Sequence, residues 1–178
     1  AQSYPNQSVK MVVPFGAGGV VAIALGLARN GAKVHLCDRD AIDWLQTDPE
    51  SGRYAPMHAH RADLGQRAAV HGLVDAVVGA QGRLDILVNA AGGVRGQVGK
   101  PIEDVSEQDW KVLFEANVDS AFWLAQAASG AMRRNTYGRI VLVASGAGLR
   151  PSLTGIQAYT AAKHAVVGLT KQLSQDLG

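Results

Sequence analysis

A Rossmann-type α/β fold with a doubly wound parallel sheet is predicted by two patterns in the sequence. Short apolar runs of strand length alternate along the chain with longer segments whose apolar residues recur at helical spacing. The predicted strands are apolar on both faces, which is typical of a parallel sheet covered by helices on both sides. With 178 residues, 47% hydrophobic and 18% charged, the chain is long enough to fold as one domain over residues 1–178.

The strands are expected at the most continuous apolar runs, which are Val9–Phe15, Lys33–Cys37, Tyr54–Ala59, Leu84–Val88 and Arg139–Val143. The helices are expected at Gly19–Asn30, Ala41–Gln46, Leu64–Ala80, Ser106–Arg134 and Gln157–Leu177. In the long fourth helix, Ser106 is the expected N-cap, and Asp109 three residues later favours a capping box. The same helix carries a predicted buried stripe of Trp110, Leu113, Phe114, Ala121 and Leu124.

Two irregular, glycine-rich segments separate these elements, residues 90–105 and residues 144–156. Each follows a predicted strand, so each is expected at the carboxyl edge of the sheet, where open α/β sheets bind ligands. Glycine allows the backbone to approach a ligand closely. The functional site is therefore expected beside these two segments.

Tyr159 and Lys163 stand four residues apart at the start of the last predicted helix, which places a phenol and an ammonium on one helix face. A nearby ammonium favours the phenolate and so lowers the pKa of a tyrosine. A tyrosine tuned in this way can donate a proton to a carbonyl oxygen or accept one from an alcohol. The pair alone is also compatible with a surface lysine beside a half-buried tyrosine.

Three further polar residues stand where a chemical role and a structural role both fit. Ser145 follows the fifth strand, fourteen residues before Tyr159, where a hydroxyl can hold a substrate oxygen or simply belong to a loop. Asn117 falls on the predicted buried stripe, so its amide needs hydrogen-bond partners. Asp38 ends the second strand, where an acid in a dinucleotide fold binds the adenosine ribose and disfavours a 2′-phosphate. Arg39 beside it can instead pair with such a phosphate.

Taken together, these residues resemble the short-chain dehydrogenase/reductase family over residues 22–178. The motifs that occur in the family's order and at similar spacing are Asp38, Asp63-Leu64, Asn89-Ala90-Ala91-Gly92, Asn117, Ser145 and Tyr159-x-x-x-Lys163. The resemblance implies an oxidoreductase that transfers hydride between a nicotinamide cofactor and a small-molecule alcohol or ketone. With Asp38 in its place, NAD is expected as the cofactor rather than NADP.

The resemblance also implies roles for individual residues. Tyr159 is the expected catalytic acid and base, and Ser145 is the hydroxyl that orients the substrate. Lys163 is expected to bind the nicotinamide ribose and to lower the pKa of Tyr159, while Asn117 is expected to join a water-mediated proton relay. The expected cofactor-binding residues are Gly16, Gly18, Gly19, Asp38, Asp63, Leu64, Asn89, Ala90, Gly92, Tyr159 and Lys163.

The two ends of the chain depart from the family pattern. The glycine motif after the first strand is altered, with Pro14 in place of its first glycine and Val20 in place of its last. The first twenty residues instead resemble the mature amino terminus of periplasmic solute-binding proteins of tripartite tricarboxylate transporters, which suggests a chain joined from two unlike pieces. Family members usually extend beyond the last helix, so the sheet is expected to be truncated at its carboxyl-terminal end.

Composition restricts the partners and the compartment. The net charge of +2 comes from scattered residues without a basic run, so neither nucleic acid nor a membrane is expected as a partner. No metal site is expected, because the histidines are scattered and no His, Cys and Asp residues cluster at ligand spacing. The single Cys37 fits a reducing compartment, and a cytoplasmic location is expected.

The family resemblance further implies a homodimer or homotetramer, in which the long helix and the last helix pair across a two-fold axis. The residues expected to supply this contact are Ala121, Phe122, Ala125, Ala128, Ala165, Val166 and Leu169. The alternative from another functional class is a non-catalytic module that binds a nucleotide, or a small carboxylate at residues 16–20.

Overall fold

The computed structural model describes residues 10–14, 19–42, 57–96, 99–153 and 155–178, and for residues 10–14, 19 and 20 it describes the backbone alone. Within these residues five strands form one sheet: β1 Lys10–Pro14, β2 Lys33–Asp38, β3 Met57–Arg61, β4 Ile86–Asn89 and β5 Arg139–Leu142. Their order is β3-β2-β1-β4-β5, and every neighbouring pair runs parallel. The predicted parallel sheet is confirmed. The strands β2 and β3 lie on one side of β1 and the strands β4 and β5 on the other, so the order in which successive strands are added reverses between β1 and β4.

The described helices are α1 Gly19–Arg29, α2 Arg67–Gln81, α3 Glu107–Phe114, α4 Ser120–Arg134 and α5 Gln157–Leu177. Helix α2 begins at Arg67 rather than Leu64, because Asp63 accepts hydrogen bonds from Gly65 N at 3.0 Å and Gln66 N at 3.1 Å, which closes a turn. Most of the predicted helix at 41–46 lies outside the described residues. Across the described ranges, no helix has the length and hydropathy needed to cross a membrane.

Each face of the sheet buries its own apolar cluster. On one face, Leu36 of β2 packs in a cluster with Ala24 and Ala28 of α1. On the other face, α2 and α4 cover Leu87 of β4 with the residues Val70, Val74, Val77, Leu124 and Ala128. The neighbouring Val88 belongs to the first cluster, because alternate side chains along a strand point to opposite faces. Helices therefore cover the sheet on both sides, as predicted.

The long helix predicted at Ser106–Arg134 begins as expected but is interrupted. Ser106 forms the predicted capping box, since its Oγ accepts a hydrogen bond from Asp109 N at 3.1 Å and Asp109 Oδ2 accepts one from Ser106 N at 3.0 Å. One turn of π-helix, Glu115–Asp119, then separates α3 from α4. Trp110 is 45% exposed, whereas Leu113 of the same helix is buried, so the predicted place of Trp110 on the buried stripe is wrong.

The predicted subunit contact also needs correction at the level of residues. Four of the residues expected to supply it, Ala121, Ala125, Ala128 and Val166, are buried inside the chain itself. Small side chains at these positions let α4 and α5 pack closely onto the rest of the fold, and they offer no surface to a partner. Phe122, at 42% exposure, remains available on α4.

Candidate active site

The fold brings the predicted site residues to one edge of the sheet. Asp38 is the last residue of β2, Asn89 is the last residue of β4, and Ser145 lies three residues beyond the end of β5. In a parallel sheet the carboxyl ends of the strands share an edge. Both irregular segments of the sequence begin at this edge, as predicted.

Lys163 is the most unusual side chain at this edge, because its ammonium is buried. The residue is only 5% exposed, and its Nζ donates a hydrogen bond of 3.0 Å to the carbonyl oxygen of Val143, just past β5. Burial lowers the pKa of Lys163 below its ordinary value of 10.5. Its Nζ lies 5.8 Å from the ring centroid of Tyr159. The phenol and the ammonium therefore share one face of α5, as the spacing predicts.

Ser145 opens a short 3-10 turn, Gly146–Gly148, that packs directly against the helix carrying Lys163. The Ser145 Oγ accepts a hydrogen bond from Ala147 N at 3.2 Å, which fixes the start of the turn. At Gly148 a Cβ atom would lie 2.6 Å from the carbonyl oxygen of Lys163. Only glycine permits this approach, so the turn that holds Ser145 is fixed next to the backbone of Lys163.

Asn117 lies in the π-turn between α3 and α4 and is buried, with all of its amide atoms in hydrogen bonds. Its Nδ2 donates to Leu113 O at 2.9 Å and to Gly93 O at 3.1 Å, and its Oδ1 accepts from Gly93 N at 3.2 Å. The predicted need for partners is thus met by the backbone of Gly93 after β4 and of Leu113 in α3. The side chain ties the segment that follows Asn89 to the π-turn.

A substitution at Gly92 tests the link between Asn117 and the segment that follows Asn89. The Gly92 φ of 132° strains any other residue, and a Cβ there would overlap the side-chain amide of Asn117. Gly92→Ala is expected to lower the free energy of unfolding by about 2–4 kcal/mol, from backbone strain and overlap together. The control is Gly93→Ala, where φ is 114° and no atom lies within 4 Å of the new Cβ. In urea unfolding of both variants, the control is expected to lose about 1–2 kcal/mol of the free energy of unfolding. Equal losses in the two variants would show that the contact with Asn117 contributes nothing.

Four of the predicted cofactor-binding residues line one cavity of about 240 Å³ at this edge, namely Asp38, Asp63, Leu64 and Gly92. The Asp38 carboxylate accepts a hydrogen bond from Asp40 N at 2.9 Å. Asn89 and Ala90 are not in the cavity wall. The Oδ1 of buried Asn89 accepts a hydrogen bond from Ala91 N at 3.0 Å and shapes the backbone that forms it.

Not every predicted cofactor-binding residue is found in this cavity wall, and two residues that do line it, Arg95 and Glu115, were not predicted from the sequence. Gly19 begins α1, while Gly16 and Gly18 lie outside the described residues. The foreign origin suggested for residues 1–20 remains a hypothesis, since most of that segment is not described. Arg95 and Glu115 also line the cavity. Glu115 reaches it from the π-turn and Arg95 from a backbone with φ of 46°, and neither feature follows from residue spacing.

Two features lie outside this cavity, a stack of three histidines and a second, larger cavity. His35, His58 and His60 are not scattered but stack across β2 and β3, with His35 Nδ1 2.8 Å from His60 Nε2. Among the described residues no group of three or more His, Cys, Asp or Glu side chains is arranged to hold a metal ion. A larger cavity of about 580 Å³ lies beside β5, between the carboxyl halves of α4 and α5, and none of the described predicted site residues lines it.

Comparison with known proteins gives consistent matches. The sequence model of the short chain dehydrogenase family matches residues 10–178. The (2S)-[(R)-hydroxy(phenyl)methyl]succinyl-CoA dehydrogenase subunit BbsD of Thauera aromatica is 40% identical over 87% of this chain, and gluconate 5-dehydrogenase of Gluconobacter oxydans is 36% identical over 89%. The chain spans 61% and 60% of the lengths of these two relatives.

Solved structures agree with the sequence matches. The crystal structure of an NAD+-bound xylitol dehydrogenase superposes with a TM-score of 0.84 at 33% identity, covering 95% of this chain and 65% of that one. The family match begins at residue 10 and so includes β1 as well as the motifs at the carboxyl edge. Because that match covers nearly the whole sequence, the chain belongs to the short-chain dehydrogenase family.

Proposed function

We propose that this chain carries the chemical centre of an oxidoreductase that transfers hydride between a nicotinamide cofactor and an alcohol or ketone. The observation that carries the proposal is the buried ammonium of Lys163, held at the end of β5 beside the ring of Tyr159. Lysine is almost never fully buried in a purely structural setting, since removing its charge from water is unfavourable. A perturbed titratable group at the ligand-binding edge of the sheet supports a role in chemistry.

Tyr159 is the proposed proton donor to the substrate oxygen during reduction and the proton acceptor during oxidation. Lys163 uses one N–H group on Val143 O, which leaves two donors for hydroxyl groups of a bound ribose. The Ser145 oxygen accepts from Ala147 N, so its own O–H remains available to donate to the substrate oxygen and hold it beside the phenol.

Asn117 is proposed to act by positioning the segment after β4. Both ends of its amide bind the backbone of Gly93, next to Gly92 in the cavity wall. Displacing this side chain would move the wall of the cavity. A place in a water-mediated proton relay through Lys163, which the family resemblance implies, stays a proposal.

The residues at the carboxyl edge fit a dinucleotide cofactor. A bound nicotinamide would supply the hydride donor or acceptor. Asp38 at the end of β2 is proposed to accept hydrogen bonds from the adenosine ribose, with Asp63 and Leu64 beside the adenine in the same cavity. A carboxylate repels a 2′-phosphate, so NAD is proposed as the cofactor, although Arg39 and Arg95 line the same cavity and oppose this preference.

Replacing Asp38 tests the choice of cofactor. Asp38→Ala is expected to lower the ratio of the NADPH dissociation constant to the NADH dissociation constant about tenfold, equivalent to about 1.4 kcal/mol. The reason is that the repulsion of the 2′-phosphate is lost. Calorimetric titration with both cofactors gives the two dissociation constants. Asp40→Ala is the control, since it removes a neighbouring carboxylate from the same cavity wall. If the unmodified chain binds NADPH as tightly as NADH, the assignment of Asp38 is wrong.

The reaction itself is tested by following the loss of NADH absorbance with a panel of ketones. Ketone-dependent oxidation of NADH by the purified chain supports the proposal, and cofactor binding without turnover of any ketone supports a non-catalytic nucleotide-binding module instead.

A homodimer or homotetramer is also proposed, with Phe122 on α4 as its exposed apolar contact. A cytoplasmic location is proposed from the single free thiol of Cys37.

A further inference from the structure

We propose that three stacked histidines form a pH-sensitive switch, which loosens the pairing of β3 with β2 in mildly acidic conditions and so opens one wall of the cavity that Asp38 and Asp63 line. The histidine stack consists of His35 on β2 with His58 and His60 on β3. The inference rests on the proposed function in one respect, because it takes that cavity as the site of the cofactor.

The rings of the histidine stack lie against one another across the two strands. The ring centroid of His35 lies 4.7 Å from that of His58 and 5.1 Å from that of His60. His35 Nδ1 and His60 Nε2 are 2.8 Å apart, so one of these nitrogens donates a hydrogen bond and the other accepts it. This bond needs a lone pair on one of the two rings, so it is lost when both rings are protonated.

Positive charge on these rings is unfavourable in the folded chain. His35 is only 2% exposed, whereas His58 is exposed to solvent. Burial lowers the pKa of His60 below its ordinary value of 6.5, and the positive charge of protonated His58 lowers it further. The folded chain therefore resists a proton on His60 that the same ring accepts once β3 leaves the sheet.

The titratable residues on this face of β1 and β2 carry no negative charge. On β2, Lys33 and Cys37 share the face of His35. Burial raises the pKa of the Cys37 thiol to about 11, so the thiol stays neutral. On β1, the register partners of Lys33 and His35 are Lys10 and Val12. Apart from the neutral thiol, the titratable residues of this set are thus lysines, which add positive charge.

Helix α2 covers the same face of β2, and its charged residues are directed elsewhere. The side chains of α2 that pack in one cluster with Cys37 are apolar, namely Val70, Leu73, Val74 and Val77. Arg67 and His71 form hydrogen bonds with Gln126 of α4, and Asp75 is exposed. The described contacts of α2 therefore do not stabilise a proton on His60.

Protonation consequently favours separation of the two strands. Above pH 6.5 the His60 ring is neutral whether or not β3 is paired, so pairing carries no penalty. As the pH falls from 6.5 to the lower pKa of the folded state, the separated state binds the proton and the paired state does not. Each proton bound in this way shifts the equilibrium toward separation by up to about tenfold per pH unit.

The strand ends beside the stack form part of the cavity wall. Cys37 pairs in register with His60, and just beyond this pair Ala62 N donates a hydrogen bond of 2.9 Å to Asp38 O. Cys37, Asp38, Ala62 and Asp63 all line the cavity. In the described sheet β3 lies at the edge and pairs with β2 alone. Weaker pairing of these strands would therefore let this wall of the cavity move.

Amide hydrogen exchange tests the switch without any cofactor. The amide of Ala62 reports on the carboxyl ends of β2 and β3. The amide of Val143, which donates to Asn89 O at 2.8 Å, reports on the equivalent ends of β4 and β5 and is the internal control. Between about pH 7.5 and about pH 5.5, the protection factor of Ala62 is expected to fall about tenfold, while that of Val143 changes little. Equal changes at the two amides, or no change at Ala62, would overturn the inference.

Two variants of the stack assign the effect to the histidines. His60→Gln removes the titrating ring and keeps a group that forms hydrogen bonds, so it is expected to abolish most of the fall in protection at Ala62. His58→Gln lies at an exposed position that the fold tolerates, and it is expected to reduce the fall because it removes a nearby positive charge. The control is His71→Gln on α2, outside the stack, which is expected to keep the fall. A fall that persists in both stack variants would show that the stack is not its source.

Calorimetric titration with NAD+ over the same pH range tests the link to the cavity. The dissociation constant is expected to rise about tenfold toward the lower pH in the unmodified chain, as the population of the closed cavity falls, and to change little in His60→Gln. If Ala62 loses protection while NAD+ binds at neither pH, the switch stands and the proposed cofactor site is wrong. If NAD+ binds equally at both pH values, the proposed function stands and the link between the histidine stack and the cavity is wrong.

Discussion

Tyr159→Phe is expected to lower the rate of ketone reduction by about 10³-fold, within the range that general acid catalysis contributes. The affinity for NADH is expected to remain nearly unchanged. The substitution removes only the hydroxyl, while the ring keeps its place beside the Lys163 ammonium 5.8 Å from its centroid. Steady-state NADH oxidation gives the rate, and calorimetric titration gives the cofactor affinity.

The chain offers a matched control for this change. Tyr137→Phe removes the same hydroxyl from a tyrosine that is exposed beside the larger cavity, next to Arg139. It is expected to leave both the rate and the affinity unaltered. Ketone reduction that survives Tyr159→Phe at the rate of the unmodified chain would contradict the proposed mechanism, whatever the cofactor affinity.

Much of this arrangement could be predicted from the sequence, because it depends on patterns that are local in the chain. The spacing of Tyr159 and Lys163 places both on one helix face, and strand ends at Asp38 and Asn89 fix one edge of the sheet. Parallel pairing then brings these separate segments together without further information. The capping box at Ser106 is equally local, since it needs only the residue three positions on.

The features that escaped prediction depend on packing between distant segments. Nothing in the spacing of residues indicates that the helix after Ser106 contains a π-turn, yet Glu115 of that turn lines the cavity. The burial of Ala125 and Ala128 depends on how closely α4 meets its neighbours in the same chain. The backbones of Gly155 and Gly99 touch, although these residues stand more than fifty positions apart. Such contacts are set by tertiary structure, which local patterns do not encode.

Lys163→Met is expected to make the chain more stable while it weakens cofactor binding and abolishes ketone reduction. Methionine has a similar length and no charge, so it removes the unfavourable burial of an ammonium. The hydrogen bond to Val143 O is lost as well. Replacing buried charged groups by apolar ones is often stabilising, and we expect a gain of about 1 kcal/mol in the free energy of unfolding. Lys171→Met, at an exposed site on the same helix, is the control and is expected to leave stability, cofactor binding and ketone reduction unchanged.

The pH dependence of this gain gives the sharper measurement. Burial lowers the pKa of Lys163 in the folded state below the value of 10.5 that applies when the chain unfolds. Below the folded pKa the ammonium is charged in both states, so the unmodified chain bears the full penalty of burying it and the advantage of methionine is greatest. As the pH rises from the folded pKa to 10.5, the lysine becomes neutral in the folded state first, and the advantage shrinks to nothing. The free energies of unfolding of the two proteins, measured with urea across this range, should therefore converge as the pH rises. A difference that stays constant would mean that the ammonium of Lys163 is not the source of the instability. Its burial would then no longer argue for a chemical role.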